Sequence, residues 1–189
     1  GDSFAIKTMI VEPSKMHTIV REIKLLEYLS SIPNSDTHIV KYYGYEKFIS
    51  KTFPTKTIFI IKLEYVVGYT LKSMIGKQLT KEEICSLFKK LLDDLIFIHS
   101  YGITHGDIKP DNIMFNSERI VLIDFGMGCA PEVYHALHGN IKCNIGGARK
   151  YMAPEILAYI DKTGTPKIKQ YKTDIYSLGR VFQDFCKSQ

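Results

Sequence analysis

The hydrophobic pattern of this chain changes period at Thr80. Ahead of it, SFAIKTMIV (3–11), HIVKYYGYEKF (38–48) and KTIFIIKLEYV (56–66) are short runs rich in β-branched and aromatic residues, and each reads as a strand. Pro13 stops the first run, and a polar turn over 50–56 joins the last two. A single helical pattern interrupts the strands. Ile19, Ile23, Leu26 and Leu29 recur at helical spacing over about 15–31, with Ser14 as the expected N-cap. A short helix is expected after Gly68. From Thr80 onward helices dominate. TKEE is a capping box, and it opens a helix to about Ser100 with Ile84, Leu87, Leu91, Leu95 and Ile98 on one face. Two short strands, NIMF and RIVLI, precede an irregular segment from Asp124 to about Pro154, and a last helix covers about 172–187. Strands first and helices after predict an α+β arrangement with a boundary near 66–70.

A chain of 189 residues can form one domain, or two small lobes sharing a cleft. Its 45% hydrophobic and 24% charged content is that of a globular protein and excludes a disordered chain. The net charge of +5 is spread without a basic stripe, and the densest basic stretch, PKIKQYK at 166–172, is short, so nucleic acid is not an expected partner. The longest apolar candidate, TIFIIKLEYVV, is broken by Lys62 and Glu64 and falls short of the roughly 18 residues a membrane span needs. GDSFAIK carries neither a signal-peptide pattern nor an initiator Met, which predicts an intracellular, cytoplasmic chain that starts inside a longer gene product. The cysteines, Cys85, Cys129, Cys143 and Cys186, form no CxxC pair, so neither a disulfide framework nor a zinc ribbon is expected. Cys129, His135, His138 and Cys143 do offer two thiolates and two imidazoles to zinc, although the spacing fits no standard finger and four unrelated loop residues is the stronger reading.

The chemistry concentrates in HGDIKPDN (105–112) and DFG (124–126), which place acids, a lysine and an amide between apolar runs. Phosphoryl transfer from a nucleotide needs this mixture. Cations offset phosphate charge, oxygen ligands hold magnesium, and a carboxylate orients the attacking hydroxyl. A strand lysine, Lys7, and a helix glutamate, Glu22, complete the set; each alone is an ordinary surface residue, and their joint occurrence in this order carries the weight.

With those motifs in place, the chain resembles a eukaryotic-type protein kinase catalytic domain from Ala5 to about Gly179. The resemblance implies a bilobal α+β fold, incomplete at both termini. Residues 1–67 would form a partial small lobe of antiparallel sheet, from the third strand onward and without the glycine-rich loop. Residues 68–189 would form a partial, mainly helical large lobe. FAIK resembles the family's VAIK strand, so Lys7 would hold the α/β-phosphates of ATP and pair with Glu22. LEYVVGYTL (63–71) resembles the hinge, with Leu63 at the gatekeeper position, the backbone of Glu64 and Val66 meeting the adenine edge, and Ala5 covering the ring. In HGDIKPDN, Asp107 would be the base, Lys109 would steady the transferred phosphate and Asn112 would hold a second Mg2+; Asp124 of DFG would hold Mg2+ as well. YMAPE (151–155) resembles the end of the activation segment, and TDIYSLG (173–179) the helix whose Asp174 anchors the catalytic loop. The implied activity is ATP- and Mg2+-dependent phosphorylation of a protein substrate on Ser or Thr, since Lys109 favours that acceptor over Tyr.

Three departures qualify the resemblance. The family's first strands and later helices are absent, which predicts exposed apolar surface, and with it missing segments or a covering partner. Gly106 stands where the family usually has an arginine that binds an activation-segment phosphate, and residues 124–155 contain no Ser or Thr; Tyr134 and Tyr151 are the hydroxyls there. A Ser/Thr phosphate switch in this segment is therefore not expected. Ala148 stands where Ser/Thr kinases carry a threonine that hydrogen-bonds the base, which predicts the loss of an ordering contact. A pseudokinase acting as a binding module is the rival reading. An aminoglycoside- or choline-type small-molecule kinase also uses HGD but lacks YMAPE and DIYSLG.

Overall fold

A computed structural model describes residues 3–116, 119–132, 143–163 and 170–188. Strand β1 (Phe4–Val11) alternates as its sequence demands: Phe4, Ile6, Thr8 and Ile10 face solvent while Ala5, Lys7, Met9 and Val11 turn inward. It pairs antiparallel with β3 (Thr57–Glu64), and β3 pairs with β2 (Tyr42–Ile49), so the sheet order is β1-β3-β2. The register sets Ala5 opposite Leu63 and Lys7 opposite Ile61.

Helix α1 (Met16–Ser31) lays Ile23, Leu25, Leu26 and Leu29 against this sheet. Ser14 is not its N-cap. Pro13 fixes the backbone of a 3-10 turn at Pro13–Lys15 that takes in Ser14, and Lys15 occupies the cap position without a side-chain bond. The second strand also starts later than its run. Residues 38–40 pair instead with β6 (Ile120–Leu122): Leu122 N–H donates to His38 O and Val40 N–H to Leu122 O, both at 3.0 Å.

After Gly68 the expected helix is a two-residue strand, β4 (Tyr69–Thr70), and a 3-10 turn at Leu71–Met74. β4 pairs with β5 (Ile113–Phe115) and β5 with β6, giving a second antiparallel sheet. Helix α2 (Lys81–Ser100) opens on the capping box read from its sequence: Glu83 N–H donates to Thr80 Oγ1 (3.2 Å) and Thr80 N–H to Glu83 Oε2 (2.8 Å). A further helix, α3 (Pro154–Ile160), starts on a proline at its first position, where no N–H is needed. Helix α4 (Gln170–Lys187) packs on α2 through Phe185, with Phe88 edge-on at 5.7 Å. One core cluster runs from Val11, Leu29 and Ile61 through Leu91, Leu95 and Ile98 to Val181 and Phe185, so the first sheet and the helices share it. Along α2 and α4, Leu92, Ile96, Ile175 and Phe182 are exposed, although the Phe182 ring also packs edge-on against Phe88 with centroids 4.8 Å apart. No helix among the described residues is long and apolar enough to cross a membrane.

Candidate active site

Period-2 alternation points Lys7 off the inner face of β1, and one turn of α1 brings Glu22 beneath it. Lys7 Nζ donates to Glu22 Oε1 at 2.6 Å and to Asp124 Oδ1 at 2.8 Å, which joins residues 15 and 117 positions apart. The Glu22 side chain is only 5% exposed, whereas that of Asp124 is 44% exposed and faces the cleft. Burial works to lower the Lys7 pKa, but the charges and hydrogen bonds of Glu22 and Asp124 outweigh it and hold the amine above its ordinary value. Burial likewise pushes Asp124 up, yet the Lys7 bond and charge leave its carboxyl below the usual range. Asp124 sits at φ +62, in the left-handed region that Asp tolerates better than most residues. Phe125 beside it is buried against His105, ring centroids 4.7 Å apart.

The loop 105–112 is held from below. Asp174 of α4, 1% exposed, accepts the backbone N–H of His105 (2.8 Å) and of Gly106 (2.9 Å), and its Oδ2 is hydrogen-bonded to His99 Nε2 at 2.9 Å. This loop presents Asp107. Lys109 Nζ donates to Asp107 Oδ2 at 2.6 Å, Asn112 Nδ2 donates to the same oxygen at 3.1 Å and to Asp107 O at 3.0 Å, and Ala148 N–H donates to Oδ1 at 2.7 Å. Asn112 uses its side-chain amide hydrogens here and its main-chain carbonyl accepts from Ile123 N–H at 3.0 Å, while its side-chain oxygen Oδ1 accepts nothing among the described hydrogen bonds. Tyr151 O–H donates to Asp184 Oδ2 (3.0 Å) and Ser177 Oγ to Tyr151 O (2.8 Å), which pins the YMAPE segment to α4.

At the other end of the cleft, Leu63 packs on a small apolar cluster of Val40, Val66 and Val121 with Met114 and Ile123. Neither the N–H nor the C=O of Val66 has a partner among the described hydrogen bonds, so both are available to a planar ligand edge. The Glu64 side chain is tied back: Arg119 Nη2 donates to its Oε1, Lys41 N–H to its Oε2 at 3.2 Å, and Arg119 Nη1 to Asp36 O. Sequence reasoning missed Val40, Val121, Met114 and Ile123. IMF and IVLI are unbroken apolar runs, so no alternation in the sequence marked which faces Met114 and Val121 would take.

Three expectations about the 105–112 loop and the irregular segment change. Gly106 is more than a lost guanidinium. Its φ of +77 and the closeness of the Met127 carbonyl to where a Cβ would stand exclude any side chain there. The contact expected to be lost at Ala148 is made by its backbone instead. Cys129 and Cys143, expected to be free, are joined as a disulfide with Cα atoms 5.3 Å apart, while Cys85 and Cys186 are free and exposed. His135, His138 and Tyr134 lie outside the described residues. Among the described residues no group of three His, Cys, Asp or Glu could hold a metal ion. The oxygens of Asp124 and Asn112 are a separate donor set, hard and sparsely charged, of the kind that suits Mg2+ carrying its own waters.

A protein-family profile described as "Protein kinase domain" matches residues 1–189, and the chain belongs to that family. It is 33% identical over 173 residues to a Dictyostelium discoideum protein described as "Probable serine/threonine-protein kinase", covering 84% of this chain and 24% of the relative. It is 29% identical over 177 residues to CBL-interacting serine/threonine-protein kinase 21 of Arabidopsis thaliana, covering 93% of this chain and 37% of that protein. Over 170 residues it is 32% identical to sperm motility kinase 3A of Mus musculus, covering 87% of this chain and 32% of that one. The chain thus spans well under half the length of each of these relatives.

Proposed function

We propose that this chain is the catalytic part of a Ser/Thr protein kinase that transfers the γ-phosphate of ATP to a protein hydroxyl. The observation that carries this reading is the single amine of Lys7 reaching both Glu22 and Asp124, beside a base that already holds Lys109 and Asn112. Residues 1–67 serve as the small lobe and 68–189 as the large lobe. Asp124 and Asn112 fit a hard divalent cation, and Mg2+ bound there supplies charge neutralisation to the phosphates. Lys7, kept protonated by its two carboxylates, binds phosphate oxygens. Ala5, Leu63 and the apolar cluster beneath them accept a flat ring, while the Glu64 and Val66 backbone meets its polar edge. Asp107 orients the acceptor hydroxyl and takes its proton; Lys109 stabilises the charge on the group in transit. A protein substrate would lie across the surface formed by 144–153. The exposed apolar residues Leu92, Ile96, Ile175 and Phe182 favour a covering partner or further chain over these helices.

The test is transfer of labelled γ-phosphate to a generic protein substrate by the longest natural form of the chain, beside its Asp107→Asn variant, followed by phosphoamino-acid analysis. Transfer to Ser or Thr that disappears in the variant is expected. No transfer by a folded protein whose melting temperature ignores Mg2+ and nucleotide, but rises with a protein partner, would identify a pseudokinase instead.

A further inference from the structure

Asp107 is held at three points, and the bonds are unevenly divided between its oxygens. A carboxylate offers about four acceptor sites, two on each oxygen. Lys109 and Asn112 occupy those on Oδ2, and the backbone N–H of Ala148 occupies one on Oδ1 at 2.7 Å. One site remains for an acceptor hydroxyl, and it is on Oδ1. The backbone geometry that brings the Ala148 N–H there is built by glycines. Gly147 sits at φ +122, and a Cβ on it would stand 2.9 Å from Gly106 O and 3.1 Å from Asp107 Oδ1. Gly106, at φ +77, is equally closed to a side chain. Two chain segments 41 positions apart therefore pass backbone to backbone, with no side chain between them.

We propose that the Ala148 main-chain N–H is a positioning donor for the base: it turns Asp107 so that the open site on Oδ1 faces the acceptor hydroxyl. This rests on the phosphotransfer reading above. A threonine hydroxyl is unnecessary in this arrangement, because a backbone group supplies the bond. Alignment of the base then depends on the path of the main chain through Gly146–Gly147–Ala148, a path that neither Ser nor Thr phosphorylation of 124–155 could set. The Lys109 and Asn112 bonds hold Oδ2 alone and leave the carboxylate free to pivot about it once the Ala148 bond is gone.

The experiment replaces the Ala148 amide by an ester (Ala148→lactate, introduced by nonsense suppression), which puts an oxygen that cannot donate in place of the N–H and leaves the side chain unchanged. It is run on the full natural chain beside Gly147→Ala and Gly179→Ala. A Cβ at Gly179, on α4 and away from this path, meets nothing within 4 Å, so that variant is the control. The ester is expected to lower kcat at least ~10-fold with the KM for ATP within ~2-fold and the melting temperature retained, as for a misaligned reacting group. Gly147→Ala should fall at least as far, and Gly179→Ala should stay near the parent. If Gly147→Ala does not fold, the ester alone decides. An ester variant with parental kcat, a loss confined to KM, or an equal loss in Gly179→Ala overturns the proposal while leaving the kinase reading intact. Absence of transfer by the parent chain is a separate result, and it removes the reading on which the proposal stands.

Discussion

Asp174→Ala should be the most damaging single substitution outside the cleft itself. Asp174 is 1% exposed and binds two backbone N–H groups, of His105 at 2.8 Å and Gly106 at 2.9 Å, besides His99. Hydrogen bonds to a charged acceptor contribute about 1.5–3 kcal/mol each, and a buried N–H left without an acceptor costs a similar amount. Taking only the two backbone bonds, the loss is about 3–6 kcal/mol, and water entering the space left by the carboxylate would hold it to the lower part of that range. For a chain of this size each kcal/mol moves the melting temperature by about 2–4 °C, so a fall of at least about 6 °C is expected. Asp174→Asn should recover little, because one end of its amide would point a hydrogen at a backbone N–H. Ser177→Ala, which removes only a hydroxyl donating to Tyr151 O and Thr173 O, should cost about 1 kcal/mol or less and serves as the reference. Urea unfolding followed by circular dichroism gives the free energies, and calorimetry gives the temperatures. An Asp174→Ala protein that melts within about 2 °C of the parent and keeps its transfer rate would refute the anchoring argument.

Lys7→Met should leave the fold intact and lower the affinity for Mg2+–nucleotide at least ~10-fold, read by the nucleotide-induced rise in melting temperature; an unchanged rise would remove Lys7 from the site. Asp94 is pushed up to about 6 by burial, against the lowering effect of its 2.7 Å bond with His38, with Asp93 raising and Lys90 lowering it further. Between about pH 4 and 6 the folded state therefore binds more protons than the unfolded one, so this group's contribution to stability falls as pH rises through that window. The difference in unfolding free energy between parent and Asp94→Asn should accordingly change with pH there and be flat above it; a difference constant from pH 4 to 7 would contradict the assignment. Air-oxidised protein should take up iodoacetamide at Cys85 and Cys186 and acquire the Cys129 and Cys143 adducts only after reduction. Cys143→Ser should cost about 3 kcal/mol under oxidising conditions, by the closure of a loop of this length. Four adducts without reductant would rule the disulfide out.

The parts of this site carried by side-chain identity could be read directly. Lys7, Glu22, Asp107, Lys109, Asn112 and Asp124 stand in short strings whose residue types are chemically unusual together, and Lys7 does meet Glu22 and Asp124. The strand character of β1, β2 and β3 and the capping box of α2 were equally legible, because alternation and capping are local rules, whereas the antiparallel sheet they form was implied only by the family resemblance. What escaped depends on backbone or on distant partners. The donor at Ala148 is an N–H that every residue but proline carries, so no letter announces it. Ser14 looked like a cap because only the tight turn set by Pro13 disqualifies it. Residues 38–40 have strand composition but pair with β6, a choice made by the tertiary fold. Helix α3 is 7 residues long, too short for its spacing to be distinctive. The Arg119 tie to Glu64 spans 55 positions, and the cysteine spacing offered no framework.

Leu122 gives its N–H to His38 and its C=O to Val40, while β5 holds the opposite edge of the same strand. The segment 38–40 is the outflow of α1, and Asp124 follows Leu122 by two residues. The chain leaving α1 and the chain reaching Asp124 are thus fastened to one short strand, so the spacing between Glu22 and Asp124 is set by main-chain bonds as well as by the Lys7 amine that stands between them.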